Sequence, residues 1–171
     1  DANLAGMLQA HMLMVRMNVK DDDTAILNQQ SNRKVKIITT KQQPRSRDDI
    51  KAMLKQYNFY DIEMNPSGHF ENDFKDPGDG TINDLATGLV WEKSGSEELI
   101  SFDKVKNYVD DLNRKQHLGY SDWVLPHVDE LASLLLPVKT RESRIDPSVG
   151  LFMDPLFDRS QSWCWTADRL S

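Results

Sequence analysis

Two clusters of turn-forming residues near the middle of the chain constrain its fold more than any other feature. The first is Asp76-Pro77-Gly78-Asp79-Gly80, and the second is Ala86-Thr87-Gly88. Proline, glycine and aspartate at this density reverse the chain direction, so the residues between and after them, Thr81–Asp84 and Leu89–Glu92, are predicted to be short strands. Trp91 in the second strand is predicted to point into the core. This part of the chain is therefore expected to form a small, tightly turning sheet.

Amphipathic helical spacing recurs at three places around these strands. Ser46 is a favourable N-cap for the first helix and Ser101 for the second, while Pro126 precedes the third helix and Pro137 ends it. The apolar stripes are, in chain order, Ile50, Met53, Leu54 and Tyr57; Phe102, Val105, Tyr108, Val109 and Leu112; and Val128, Leu131, Leu134 and Leu135. Helices that alternate with short strands in this way predict an α+β fold.

Residues 1–45 are predicted to be an N-terminal accessory segment, followed by the main domain at residues 46–171. Apolar residues at spacings of three and four over residues 4–17 predict a methionine-rich amphipathic helix. The β-branched stretch at residues 35–40 predicts a strand. A helix with an apolar stripe can dock a partner or a second copy, so a homo-oligomer formed through this N-terminal helix is one expectation.

An ordered set of motifs extends the argument beyond single elements. In chain order the motifs are Gly78-Asp79-Gly80-Thr81, Asp84, Thr87-Gly88-Leu89-Val90-Trp91, Gly119-Tyr120-Ser121-Asp122-Trp123, Leu125-Pro126 and Glu130-Leu131. With these motifs, residues 70–168 resemble the bacterial domain family typified by the C-terminal domain of the Lcl collagen-like adhesin. The resemblance implies a C-type-lectin-like α+β fold, in which two helices pack on small twisted antiparallel sheets. Trp91, Trp123 and Trp165 are then expected to be interior residues that join the helices to the sheet.

The same resemblance implies a place and a kind of ligand. Members occur in extracytoplasmic contexts, so a periplasmic or cell-surface location is expected rather than a cytoplasmic one. The adhesin member is associated with sulfated glycosaminoglycans, which points to adhesion and to carbohydrate or another anionic or polyhydroxylated ligand. Two positions depart from the family pattern: Val124 stands where arginine is common, and His127 stands where threonine often caps the helix.

Composition excludes several classes of function. A net charge of −6 disfavours nucleic-acid binding, which needs a concentrated cationic face, and no apolar run is long enough for a transmembrane segment. Cys164 is the only cysteine, so a site with several thiolates cannot form within one chain. The four histidines are His11, His69, His117 and His127. Their dispersal predicts no metal site, and with no catalytic or cofactor motif the chain is predicted to be neither an enzyme nor cofactor-dependent.

The candidate binding residues lie in the irregular stretch at residues 139–169. They are Arg141, Arg144, Arg159 and Arg169. The planar guanidinium group of arginine suits sulfate, carboxylate and hydroxyl-rich ligands. In the alternative interpretation these arginines only pair with neighbouring acids, which are Glu142, Asp146, Asp154, Asp158 and Asp168. The predicted function is a recognition module for a glycan or protein ligand, and its alternative is a structural, assembly or sensor domain that makes protein–protein contacts.

Overall fold

The structure is a computed structural model that describes residues 9–10, 15–17, 44–144, 146–159 and 164–170, with the backbone alone described at 9–10, 15–17, 44–45 and 169–170. The helices are α1 (Arg47–Tyr57), α2 (Val105–Arg114) and α3 (Val128–Ser133), with 3-10 turns at Phe102–Lys104 and His117–Gly119. The strands are β1 (Gln9–Ala10), β2 (Val15–Met17), β3 (Pro44–Arg45), β4 (Phe74–Lys75), β5 (Thr81–Asp84), β6 (Leu89–Glu92), β7 (Ile100–Ser101), β8 (Arg141–Glu142), β9 (Gly150–Leu151) and β10 (Arg169–Leu170).

The largest sheet has four antiparallel strands in the order β2-β6-β5-β4. Its central hairpin joins β5 to β6 in a register that pairs Ile82 with Trp91 and Asp84 with Leu89. Two smaller antiparallel pairs are β1 with β7 and β8 with β9, and β3 pairs with β10 in parallel. The strands predicted at Thr81–Asp84 and Leu89–Glu92 are confirmed. The fold is therefore α+β with small, mostly antiparallel sheets.

The turn between β5 and β6 is organised by the buried carboxylate of Asp84. Its Oδ1 accepts hydrogen bonds from the backbone N–H groups of Asp73 (3.3 Å) and Ala86 (3.0 Å), and its Oδ2 accepts one from the Thr87 hydroxyl (2.6 Å). Gly88 closes the turn at φ 76°, a left-handed conformation that favours glycine. Burial raises the pKa of Asp84, while these hydrogen bonds act in the opposite direction. The hydrogen bonds thus offset part of the cost of burying this carboxylate.

Two tryptophans form the centres of separate core clusters. Trp91 is fully buried and meets the ring of Phe157 edge-on at 6.5 Å between centroids. Trp123 is also fully buried, and its Nε1–H donates to the carbonyl of His117 at 2.9 Å. Trp165 is half-buried, with its Nε1–H donating to the carbonyl of Ile100. The predicted interior position is confirmed for Trp91 and Trp123, whereas Trp165 keeps part of its surface exposed.

The first predicted helix is confirmed together with its cap. Ser46 Oγ accepts the N–H of Asp49 (3.2 Å), and Asp49 Oδ2 accepts the N–H of Ser46 (2.9 Å), which makes a reciprocal capping box. The helix ends at Tyr57 and is capped by Asn58, whose φ of 58° is left-handed. Met53 and Leu54, both in the predicted stripe, are buried.

The other two predicted helices are present but differ at their ends. Ser101 makes no side-chain cap, and α2 begins only at Val105 because a 3-10 turn comes first. The third helix was predicted to continue until Pro137, yet α3 ends at Ser133. The physical reason is a competing hydrogen bond. The N–H of Leu136 donates to the carbonyl of Phe152 at 2.6 Å, so it is not available for a hydrogen bond within the helix.

The prediction of a helix over residues 4–17 is wrong for the two stretches that the structure describes. Both are strands, β1 and β2. β2 pairs with β6 along the edge of the main sheet, with Arg16 opposite Val90. Backbone pairing with a buried strand outweighs the helical spacing of the side chains, as tertiary context commonly outweighs propensity. The rest of that helix, and the strand predicted at residues 35–40, lie outside the described residues. The accessory-segment boundary at residue 45 stays a prediction, although β1, β2 and β3 all pair with strands of the main domain.

Within the part of the chain that the structure describes, no helix combines the length and the apolar composition needed to cross a bilayer.

Candidate functional site

A cleft of about 350 Å³ opens where the end of β6 meets β8 and the loop at residues 155–159. The residues that matter for its chemistry are Lys93, Ser94, Arg141, Phe157, Asp158 and Arg159. We call this set the polar cleft. Three of its side chains are cationic and one is anionic, so the cleft carries local positive charge on a chain whose net charge is −6.

The polar cleft is fixed to the sheet by backbone hydrogen bonds. The N–H of Lys93 donates to the carbonyl of Gly80, and the N–H of Asp158 donates to the carbonyl of Lys93, each at 3.0 Å. Phe157 anchors the loop from below, because its ring is 1% exposed and packs edge-on against Trp91 and Phe74. The cleft therefore has a rigid floor although one wall is a loop.

Arg141 is the best-held cation of the polar cleft. It lies in β8 opposite Leu151, is half-buried, and its Nη2 donates to the carbonyl of Phe157. Its Nε is buried and has no hydrogen-bond partner among the described residues. A buried donor without a partner is costly, so such groups are commonly found where a ligand or water is bound.

The remaining predicted arginines differ in position. Arg159 lines the polar cleft, is exposed, and has no carboxylate within ion-pair distance among the described residues. Arg144 lies beside the cleft, since its N–H donates to the carbonyl of Arg159 at 2.9 Å and its Nη2 lies 3.6 Å from Asp158 Oδ1. Arg169 lies in β10, where the backbone alone is described. The structure thus brings Arg141 and Arg159 together, with Arg144 adjacent.

The acids that could have neutralised these arginines mostly bind other groups. Glu142 faces Lys139 at 3.5 Å, and Asp146 accepts from the backbone and hydroxyl of Ser148 in its own turn. Asp168 accepts the N–H of Val128 at the start of α3, at 2.7 Å. Of the five candidate acids, Asp158 is the one that the described contacts place against a predicted arginine. The stretch predicted to be irregular also contains the β8–β9 hairpin, which holds Arg141 in place.

Sequence reasoning missed Lys93, although a signal was present. In the β5–β6 register Thr81 pairs with Glu92, so the next residue, Lys93, necessarily meets the turn at residues 76–80. Its Nζ lies 2.5 Å from Asp76 Oδ2. That hydrogen bond from Lys93, followed by one from the N–H of Gly78, lowers the pKa of Asp76. Extending the predicted hairpin by one residue would have placed a lysine beside this turn.

A buried carboxylate lies directly behind Lys93. Glu92 is 3% exposed, and its Oε1 lies 2.7 Å from Nε2 of His117. Its Oε2 is buried and has no hydrogen-bond partner among the described residues. Burial raises the pKa of Glu92, and His117 partly offsets this.

Burial and the charges of Glu92 and Glu97 also raise the pKa of Tyr108 to about 12. In the described part of the chain, no cluster of three or more His, Cys, Asp or Glu side chains could hold a metal ion.

Comparison with protein families decides what kind of domain this is. A model of the Lcl C-terminal domain matches residues 80–170, which is more than half of the 171-residue chain. The chain belongs to the Lcl C-terminal domain family. The matched region runs from the end of the first turn cluster to β10 and contains Lys93, Arg141 and Arg159. A search of curated proteins and a search of solved structures each found no match.

Several of the motifs that carry the resemblance build the fold of this Lcl C-terminal domain. Asp84 and Gly88 form the β5–β6 turn, and Trp91 and Trp123 fill two core clusters. The polar cleft uses residues outside those motifs: Lys93 and Ser94 lie between Trp91 and Gly119, and the other cleft residues follow Glu130-Leu131 in the chain. In this chain the motif residues therefore build the scaffold, and other residues form the cleft.

Proposed function

We propose that this Lcl C-terminal domain is a non-enzymatic recognition module that binds an anionic or polyhydroxylated ligand, with carbohydrate as the favoured class. The observation that carries the proposal is the convergence of Lys93, Arg141 and Arg159 on one cleft although they are far apart in sequence. Long-range convergence of cations on a chain with net negative charge is unlike the scattered charges of an ordinary solvated surface.

The hydrogen-bonding capacity of the polar cleft supports this class of ligand. Arg141 offers a buried Nε–H donor, and Arg159 offers an exposed guanidinium group without an ion-pair partner among the described residues. Guanidinium groups bind carboxylate and sulfate in a bidentate manner, and they also donate to hydroxyl oxygens. Asp158 at the same rim can accept a hydrogen bond from a sugar hydroxyl.

The proposal includes a C-type-lectin-like arrangement and an extracytoplasmic site of action, at the periplasm or cell surface. The α+β class with small antiparallel sheets is compatible with that fold. The proposal is recognition without catalysis, because the ionisable groups that could act as a base or nucleophile are already paired, Lys93 with Asp76 at 2.5 Å and Asp158 with Arg144 at 3.6 Å. The ligand is therefore expected to leave the cleft chemically unchanged.

A glycan array that includes sulfated, carboxylated and neutral oligosaccharides tests the proposal. The full chain is expected to bind an acidic subset, and Arg159→Ala is expected to weaken that binding about tenfold, the value of one charged hydrogen bond. Arg47→Ala is the matched control, because Arg47 is exposed at the start of α1 and its ion-pair partner among the described residues is Glu63, at 2.8 Å. Absence of binding, or equal losses in both variants, would contradict the proposal.

A second candidate function is a structural or sensor domain that makes protein–protein contacts. The observation that favours it is the position of β2 at the edge of the four-stranded sheet, since an edge strand can pair with a strand of another chain. Light scattering of the full chain over a range of concentrations tests this candidate. Reversible association supports it, whereas a monomer at every concentration argues against assembly through this edge.

A further inference from the structure

A second cavity lies on a different part of the molecule, between helices α1 and α3. Its volume is about 300 Å³, and it shares no lining residue with the polar cleft. Ile50 and Leu54 from α1 face Val128, Leu131 and Ala132 from α3. We call it the apolar cavity. It lies where two core clusters meet, one containing Leu54 with Ala132 and the other containing Leu134 with Met153.

The apolar cavity is open to solvent on one side. Its floor is buried, since Leu54 and Ala132 are 2% and 6% exposed, whereas Ile50 and Val128 at its rim are half-buried. A ligand can therefore enter without unfolding of the helices. Covering apolar walls of this kind is favourable, because it removes apolar surface from water. A larger side chain at Ala132 would fill part of the space.

The lining specifies the chemistry of an occupant. Burial raises the pKa of the Cys164 thiol to about 12, so this residue contributes an uncharged surface alongside the aliphatic side chains. Asp61 is the single charged residue in the described lining. Its Oδ1 accepts the N–H groups of Glu63 (2.9 Å) and Met64 (2.7 Å), which fixes the carboxylate in place. Among the described residues, no cation or donor is paired with its Oδ2.

We propose that the apolar cavity binds a small aliphatic or aromatic amine. The hydrocarbon part of the ligand lies between α1 and α3, where it covers the apolar walls, and the ammonium group pairs with Asp61. Cavities of this volume are at the lower end of those that hold small-molecule ligands, and they typically combine apolar walls with one or two fixed polar groups. A carboxylate ligand of the same length is excluded by repulsion from Asp61.

Calorimetric titration of the full chain with hexylamine, hexanol and hexanoate tests the proposal. Hexylamine is expected to bind most tightly and hexanoate not measurably. Asp61→Asn is expected to weaken hexylamine about tenfold and to leave hexanol unchanged, because it removes the charged pairing alone. Asp103→Asn, on the exposed 3-10 turn, is the matched control for the change in net charge. Ala132→Leu is expected to abolish binding of hexylamine and hexanol, since it fills the space.

Methyl NMR of the unmodified chain keeps the test decisive if Ala132→Leu fails to fold. Hexylamine is expected to shift the methyl resonances of Ile50 and Val128 and to leave those of Val105, in a separate core cluster, unchanged. Three results would overturn the proposal: no binding of any probe, hexanoate binding as tightly as hexylamine, or shifts confined to residues away from the cavity.

Discussion

The two ends of the β5–β6 hairpin differ in how a buried carboxylate is hydrogen-bonded. Each end buries a carboxylate, Asp84 at the turn and Glu92 at the open end. Asp84 receives three hydrogen bonds from residues within eleven positions of it in sequence. Glu92 has one described partner, His117, which is twenty-five positions away, and its second oxygen is unpaired among the described residues.

The difference shows where this scaffold leaves room for function. At the turn both oxygens of the Asp84 carboxylate accept hydrogen bonds from within the protein, so this carboxylate is used for structure. At the open end, the segment at residues 76–80, His117 and Asp158 converge from distant parts of the chain on Glu92 and Lys93. Convergence of separate segments creates the polar cleft, and its polar groups are only partly satisfied. The predictions below test that contrast.

The largest effect is expected from Asp84→Ala. The substitution leaves two backbone N–H groups and one hydroxyl without their acceptor in a buried turn, and each such loss costs about 1 kcal/mol. We expect the free energy of unfolding to fall by about 3 kcal/mol, measured by urea denaturation. Asp79→Ala is the matched control at the open end, because Asp79 also accepts from the backbone and hydroxyl of Thr81 but is exposed. If Asp84→Ala lowered the free energy of unfolding by less than the control does, the contrast between the turn and the open end would be contradicted.

The second prediction concerns pH. Because burial raises the pKa of Glu92 above its ordinary value of 4.5, the folded protein holds this proton more tightly than the unfolded chain. The free energy of unfolding must therefore fall as the pH rises from 4.5 through the raised pKa. Glu92→Gln is expected to reduce that fall, and the part that remains belongs to Asp84 and Glu130, whose pKa values burial also raises.

Urea denaturation at a series of pH values measures this effect. Below pH 4.5 the variant is expected to lie within about 1 kcal/mol of the unmodified protein, because Gln resembles protonated Glu. Glu98→Gln removes an exposed charge two residues before β7 and is the control. An identical pH dependence in Glu92→Gln and the unmodified protein would show that Glu92 is not a strained buried acid.

The smallest effect is expected from Lys93→Ala at the open end. The hydrogen bond from Lys93 is the main cause that lowers the pKa of Asp76, so its removal should raise that pKa toward 3.8. The N–H of Gly78 remains and keeps part of the depression. Carboxyl NMR titration measures the shift, and Lys106→Ala, whose lysine pairs with Asp110, is the control. A pKa for Asp76 that does not move would argue against the Lys93 contact.

The sequence predicted those parts of the fold that depend on near neighbours. The Ser46 cap, the turn at Ala86-Thr87-Gly88 and the inward direction of Trp91 follow from residues a few positions apart, so they were predictable. The strand β2 was not, because its helical spacing gave no sign that β6 needed an edge partner. The early end of α3 likewise depends on Phe152, which lies beyond the helix in sequence.

The candidate site was predicted only in part, because it too depends on long-range contacts. Arg141 and Arg159 were singled out from the chemistry of arginine in a long connection, and both line the polar cleft. The sequence could not show that Arg144 lies beside the cleft near Asp158, or that Lys93 joins the site from the far end of β6. Those relations arise from the β8–β9 hairpin and the β5–β6 register, which are long-range features.

The most direct test of the central claim is NMR of the arginine Nε–Hε groups during titration with the tightest-binding glycan from the array. If the ligand lies in the polar cleft, the Arg141 and Arg159 signals shift in proportion to occupancy, and those of Arg47 and Arg114 on the exposed faces of α1 and α2 stay in place. Shifts at Arg47 or Arg114 with unchanged Arg141 and Arg159 signals would contradict the account.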